Sequence, residues 1–200
     1  MIDLRIRGGT VITMDDSRRI VDGDVYVDSG RIVAVGGPEH RTRRTLNATG
    51  MVVIPGLIDL HDHLRDLTPG IQVGEGLRID AFLRAMWRLS EHLGPEEFHI
   101  GAMLGAARLV KAGVTSVVDH VYPFHRPLLA QPAIAGYEAA GIRWFMARGI
   151  MTRPYRPICE TAANAFRAIE ELADSLPKER LFVAPVSFRQ APPSVFARAR

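Results

Sequence analysis

The chain has 200 residues, 47% hydrophobic and 24% charged, which is enough apolar material for a core and excludes wholesale disorder. No run approaches the roughly 20 uninterrupted apolar residues that span a bilayer. The opening Met-Ile-Asp-Leu-Arg-Ile-Arg lacks the apolar centre of a secretory signal, so export is not indicated and a cytoplasmic location is expected. Cys159 is the single cysteine, which excludes an internal disulfide framework and a Cys-rich zinc ribbon.

The formal charge is +3, but the basic residues are dispersed. Arg41, Arg43 and Arg44 form the one local concentration, and no basic stripe with aromatic platforms is present. Neither a nucleic acid nor a membrane is expected as a partner.

The first fifty residues are punctuated as short strands. Leu4–Arg7 alternates, Gly8-Gly9 breaks it, and Val11–Met14 resumes. Asp24–Val27 and Arg31–Val35 flank Asp28-Ser29-Gly30, a compact hairpin signal. A further apolar run, Met51–Ile54, follows Leu46–Gly50. Residues 1–50 are read as a small antiparallel sheet.

After Pro55-Gly56 the pattern changes to alternating strands and helices. Leu57-Ile58-Asp59-Leu60 reads as a buried strand. Ile79, Phe82, Leu83 and Met86 make a helix stripe, and Ile100, Met103, Leu104 and Ala107 make a second. Val114–Val118 is a β-branched strand, Leu128–Ala140 a helix and Ile142–Met146 a strand. Phe166, Ile169, Ala173 and Leu176 mark the next helix, Leu181–Ala184 the next strand, and a helix begins near Pro192-Pro193. Such alternation implies βα units on a parallel sheet. Four strands in residues 51–200 are too few for a closed eight-stranded barrel, which takes about 250 residues. The region is either a small open α/β sheet or the front half of something longer.

The strongest chemical signal is Pro55-Gly56-Leu57-Ile58-Asp59-Leu60-His61-Asp62-His63. Side chains two apart on a strand share a face, so His61 and His63 project together at the strand's C-terminal end and Asp62 projects away. Two imidazoles there make half a metal site, at the end of an α/β sheet where reactive groups gather. His120 ends the second strand and Arg148 the third; both are candidates to face a substrate, and His125 is a loop residue able to reach the same place. His40, His92 and His99 are read as surface residues, Asp119 as an anchor of its strand's end, and Cys159 as a buried apolar side chain. Met86, Trp87 and Met103 are read as packing positions. Phosphate-loop spacing is absent around Gly74-Glu75-Gly76, and a single cysteine cannot supply the cytidine-deaminase zinc motif.

The segment from Pro55 to His63 resembles the start of the barrel in the amidohydrolase superfamily, whose first strand carries PG followed by two apolar residues and D-x-H-x-H. Asp28–Gly36 resembles that family's D-G-R-I hairpin, and Leu46–Gly50 its apolar-D-A-x-G turn, with Asn47 in place of the usual Asp. Ala112–His120 is similar to the second strand, G-x-T-T-x-x-D, of the branch containing s-triazine hydrolases and guanine- and 8-oxoguanine-type deaminases; Gly141–Gly149 resembles that branch's third strand.

The resemblance implies a partial (β/α)8 TIM barrel of about four βα units at 51–200, preceded by a β-sandwich portion at 1–50. It implies one divalent ion, zinc or iron, held by His61 and His63, with His120 and Arg148 toward the substrate. The ion would lower the pKa of a water for hydrolysis of non-peptide carbon–nitrogen bonds, chiefly deamination of a purine- or triazine-like heterocycle. The family's remaining ligands, two His and an Asp on later strands, would lie beyond Arg200. The chain is therefore read as an N-terminal fragment, inactive alone, whose whole protein takes a small nitrogen heterocycle or amide and forms a homo-oligomer. Two alternatives stay open. A hydantoinase- or dihydroorotase-type cyclic amidase would need a lysine at the end of the fourth strand, where Val186–Gln190 offers none. A non-catalytic open α/β protein would use the His pair structurally.

Overall fold

The computed structural model describes residues 1–67, 74–126 and 128–200, which divide into two units, Met1–Gly56 and Leu57–Arg200. The first unit is a five-stranded sheet: β1 (Ile2–Ile12), β2 (Ile20–Asp28), β3 (Arg31–Val35), β4 (Thr42–Asn47) and β5 (Val52–Val53). Strands β1, β2 and β3 are antiparallel neighbours, but β4 and β5 run parallel to β1. The sheet is thus mixed rather than antiparallel, because the chain leaves β3 and returns on the far side of β1. Since β5 pairs with Thr10 and Val11, the Met51–Ile54 run belongs to this sheet and the division falls after Gly56 instead of residue 50.

Gly8-Gly9 does not end β1; it forms a bulge. The β1–β2 register shifts between Ile6 and Gly9, Gly8 takes φ +73, and its N–H donates to Asp24 Oδ1 at 2.9 Å. At Gly9 a Cβ would lie 2.6 Å from Val53 Cγ2, so the side chain must be absent for β5 to dock. Ser29 and Gly30 both have positive φ, the geometry of a tight two-residue hairpin whose twist suits β2 and β3.

The second unit is a four-stranded parallel sheet in the order β6 (Leu57–Asp62), β7 (Val114–Val121), β8 (Arg143–Ile150), β9 (Leu181–Pro185). Helices α1 (Ile79–Ser90) and α2 (Pro95–Lys111) join β6 to β7, α3 (Ala130–Ala140) joins β7 to β8, α4 (Ala162–Ser175) joins β8 to β9, and α5 (Pro193–Arg198) follows. The boundaries are chemical. Pro95 occupies the first turn of α2 while the Glu97 carboxylate accepts the Gly94 N–H at 2.7 Å; Thr161 Oγ1 caps α4 by accepting from the Asn164 N–H at 3.2 Å. One core joins Val117, Val121, Trp144 and Met146 of the sheet to Phe98, Ala102 and Ala106 of α2, Ala133 and Tyr137 of α3, and Leu172 of α4. A second gathers Ile150, Phe166, Ile169 and Val195.

Two expectations from periodicity change. The buried face of α2 is not Ile100, Met103, Leu104 and Ala107 but Phe98, Gly101, Ala102, Gly105 and Ala106; Leu104 is exposed. Small residues face inward because α2 lies against both α3 and the turn after β6: a Cβ on Gly136 would meet the His99 carbonyl oxygen at 2.5 Å. Strand β6 is not buried either. Leu60 is 74% exposed and Leu57 and Ile58 are exposed too, since β6 and β9 each have one strand neighbour among the described residues.

Candidate metal centre

The β6–β7 register sets Asp62 opposite Asp119, which brings the C-terminal ends of these two strands level. There the rings of His61, His63 and His120 converge. Their centroids are 5.0, 5.1 and 5.3 Å apart pairwise, and one ring nitrogen from each lies within 4.8 Å of the others. Tyr122 closes the group, its ring 5.5 Å from both His63 and His120. The space that Tyr122 needs is left by Gly149, where a Cβ would stand 2.7 Å from the Tyr122 Cβ.

Hydrogen bonds orient the rings. His63 Nδ1 is 2.7 Å from the His120 carbonyl oxygen; a carbonyl only accepts, so Nδ1 carries the proton and Nε2 keeps its lone pair. By the same logic His120 Nε2 donates to the Ala184 carbonyl at 3.3 Å. Main-chain N–H groups of His61 and His63 are held by Asp59 Oδ1 at 3.0 Å and Asp62 Oδ1 at 2.6 Å. Burial, reinforced by the neighbouring His63, pushes His120 down to about 4 against the pull of the Ala184 carbonyl, so this ring is neutral at physiological pH. Imidazoles presenting lone pairs to one small volume, with a carbonyl behind two of them, are a donor set that fits zinc or another borderline divalent ion.

In the β7–β8 register His120 stands opposite Ala147, and Arg148 stands opposite Val121 on the helix-facing side. Its guanidinium is buried, bonded to both carboxylate oxygens of Glu160 and to the Gly149 carbonyl, and lies 4.1 Å from the Phe124 ring centroid. It forms a rim ion pair with Glu160, and alternation puts it on the opposite face of the sheet from His120. The same pair, with Phe124, His125 and Cys159, lines a cavity of about 420 Å³ that none of the three clustered histidines touches. His125 is therefore in that cavity and not in the cluster. Cys159 is half-buried, and burial raises its thiol pKa.

Three residues at or below the centre escaped the sequence reading. Tyr122 follows His120 by two, the same alternation that pairs His61 with His63, and could have been found by that rule. Arg65 is buried, bonded to Ser90 Oγ at 3.3 Å and stacked over Phe98, and its place just after His63 was the available signal. Tyr137 gave no signal beyond an aromatic on a helix. Asp119 is an anchor as expected, accepting from the Leu64 N–H at 3.1 Å and the Tyr137 hydroxyl at 2.6 Å. His99 does more than face solvent: its Nδ1 lies 3.3 Å from the Pro132 carbonyl, tying α2 to α3.

A parallel βα sheet with this cluster at its carboxyl ends is an α/β scaffold carrying a candidate metal centre, and its relatives make the class specific. The sequence pattern of the amidohydrolase family matches residues 52–192, and the chain belongs to that family. It is 32% identical over 203 residues to the 5-methylthioadenosine/S-adenosylhomocysteine deaminase of Natronomonas pharaonis, covering 98% of this chain and 45% of the relative. The enzyme of the same name from Nitratidesulfovibrio vulgaris is 26% identical over 211 residues, 99% of this chain and 46% of its own length. Among solved structures, atrazine chlorohydrolase from Arthrobacter aurescens TC1 complexed with zinc is 25% identical with a TM-score of 0.82, over 98% of this chain and 49% of that one. An adenosine deaminase from Xanthomonas campestris with bound zinc shares the fold at a TM-score of 0.83 and 24% identity, over 100% of this chain and 46% of that one. The chain thus spans about half the length of the curated relatives it matches. Among the described residues no helix is long and apolar enough to cross a membrane.

Proposed function

We propose that the protein carrying this chain is a metal-dependent hydrolase of non-peptide carbon–nitrogen bonds that deaminates a purine-like heterocycle. The observation that carries the reading is the convergence of His61, His63 and His120 at the strand ends. His61 and His63 are the metal ligands. A divalent cation there supplies Lewis acidity, which brings the ionisation of a water toward neutral pH. His63 Nδ1, tied to the His120 carbonyl, keeps Nε2 free to coordinate. His120, buried and neutral, lines the wall against which a substrate ring lies, with Tyr122 beside it offering an aromatic face for a flat heterocycle. Arg148 acts through Glu160 as a brace for the rim.

Deamination is preferred over a cyclic-amidase reaction. Residues 181–200 contain no lysine, and Lys178 precedes β9 at its far end, so no carbamylated lysine is available there to bridge two metals. The substrate class follows the named activities of the relatives, methylthioadenosine and adenosylhomocysteine deaminases. A cytoplasmic location suits such substrates.

The test is ammonia release by the zinc-loaded whole protein from 5-methylthioadenosine, S-adenosylhomocysteine, adenosine and guanine. Release from at least one, lost on chelation and in His63→Ala, is expected. Activity on hydantoin or dihydroorotate without any ammonia from the purines would overturn the reading.

A further inference from the structure

We infer that Asp119 and Tyr137 are positioning residues that hold the His63 imidazole in its coordinating orientation, an inference that rests on the metal-site reading above. Consecutive residues of β7 grip consecutive residues after β6. The Asp119 carboxylate takes the Leu64 N–H at 3.1 Å through Oδ1, and the His120 carbonyl takes His63 Nδ1 at 2.7 Å. One bond fixes the main chain just beyond the ligand and the other fixes the ring. Neither serves unless the other keeps the two segments in line.

Tyr137 sets the position of Asp119. Its hydroxyl, fully buried on α3, donates to Asp119 Oδ2 at 2.6 Å, so each carboxylate oxygen has its own donor and the group cannot rotate without losing one. The ring is fixed in turn against Trp144 at 5.6 Å. Helix α3 therefore reaches the metal ligand through Tyr137, Asp119 and the Leu64 main chain. Partners behind a ligating histidine commonly change metal affinity about 10–100-fold when removed.

The experiment compares Tyr137→Phe and Asp119→Asn with Tyr26→Phe in the whole protein that carries this chain. Tyr26 is the matched control: an equally buried tyrosine whose hydroxyl donates to Asp24 at 3.0 Å in the first unit. Zinc affinity is read by competition with a chromophoric chelator, and the metal-free chain is read by side-chain 15N NMR of His63 and amide exchange of Leu64. Tyr137→Phe is expected to weaken zinc about 10–100-fold, to convert the single Nδ1-protonated tautomer of His63 into a mixture, and to speed Leu64 exchange, while Tyr26→Phe leaves all three unchanged whatever it does to the melting temperature. Asp119→Asn, an isosteric change, serves the same comparison if Tyr137→Phe does not fold. Retention of the single tautomer and of wild-type exchange in both variants overturns the inference. A wild-type whole protein that binds no zinc defeats the metal-site reading instead, and the tautomer and exchange data from the metal-free protein still decide the positioning role.

Discussion

Gly105 of α2 and Leu64, the residue after His63, approach so closely that no methyl group fits between them: a Cβ at position 105 would lie 2.7 Å from the Leu64 carbonyl oxygen and 2.9 Å from its Cα. The helix thus seats the turn that carries a candidate ligand. The nearest atom is a main-chain oxygen and the next, the Leu64 Cβ at 2.8 Å, is bonded directly to the main chain, so neither can swing aside. Gly105→Ala is expected to destabilise the chain by about 1–3 kcal/mol, the usual cost of overpacking, measured by urea unfolding. A loss below about 0.5 kcal/mol, the range of an inert surface change, would show that the turn yields freely.

His120 gives the metal-free chain a pH dependence with a definite sign. Folded, this ring takes a proton at about 4; unfolded, at its ordinary 6.5. The unfolded state therefore binds more protons between these values. Stability from the neutral buried ring is fully present above 6.5 and is withdrawn as pH falls to 4, by about 3 kcal/mol in all. Urea titrations across that window should show the decline, and His120→Gln should flatten it. An unchanged slope in that variant would assign the acid sensitivity to other groups.

The Arg148–Glu160 pair is buried on both sides. Glu160→Gln leaves the Arg148 charge without its carboxylate and is expected to cost about 3–5 kcal/mol. Replacing both residues with methionine is expected to recover most of that loss, because the desolvation of two charges disappears with them. Chemical denaturation of the single and double variants checks both values. A double variant as unstable as the single one would mean that Arg148 contributes by its contact with Phe124 and not by its charge.

Much of this was legible in the sequence because two periodicities were clean. Period-two spacing put His61 and His63 on one face, and the alternating apolar runs separated by Gly and Pro gave four parallel strands with helices between them. The same rule sets the side of the sheet on which Arg148 lies: it neighbours Ala147, the residue opposite His120, and so faces away from the histidines. The stripe on α2 misled because a helix packed on two sides buries its smallest residues, and hydrophobicity does not register glycine or alanine as a contact face. The exposure of Leu60 could not be read from its own strand, since burial depends on what pairs with and packs on that strand, and β6 has one strand neighbour among the described residues. Nor could the link from Tyr137 through Asp119 to Leu64, because its members are separated by 18 and 55 positions and meet only when β7 lies beside β6.

The central claim is that His61 and His63 share one cation, and X-ray absorption at the zinc edge of the zinc-loaded protein tests it most directly. The account predicts imidazole back-scattering with zinc–nitrogen distances of about 2.0–2.1 Å, which disappears when both residues are replaced by alanine. An identical spectrum and an unchanged zinc content in that double variant would contradict it.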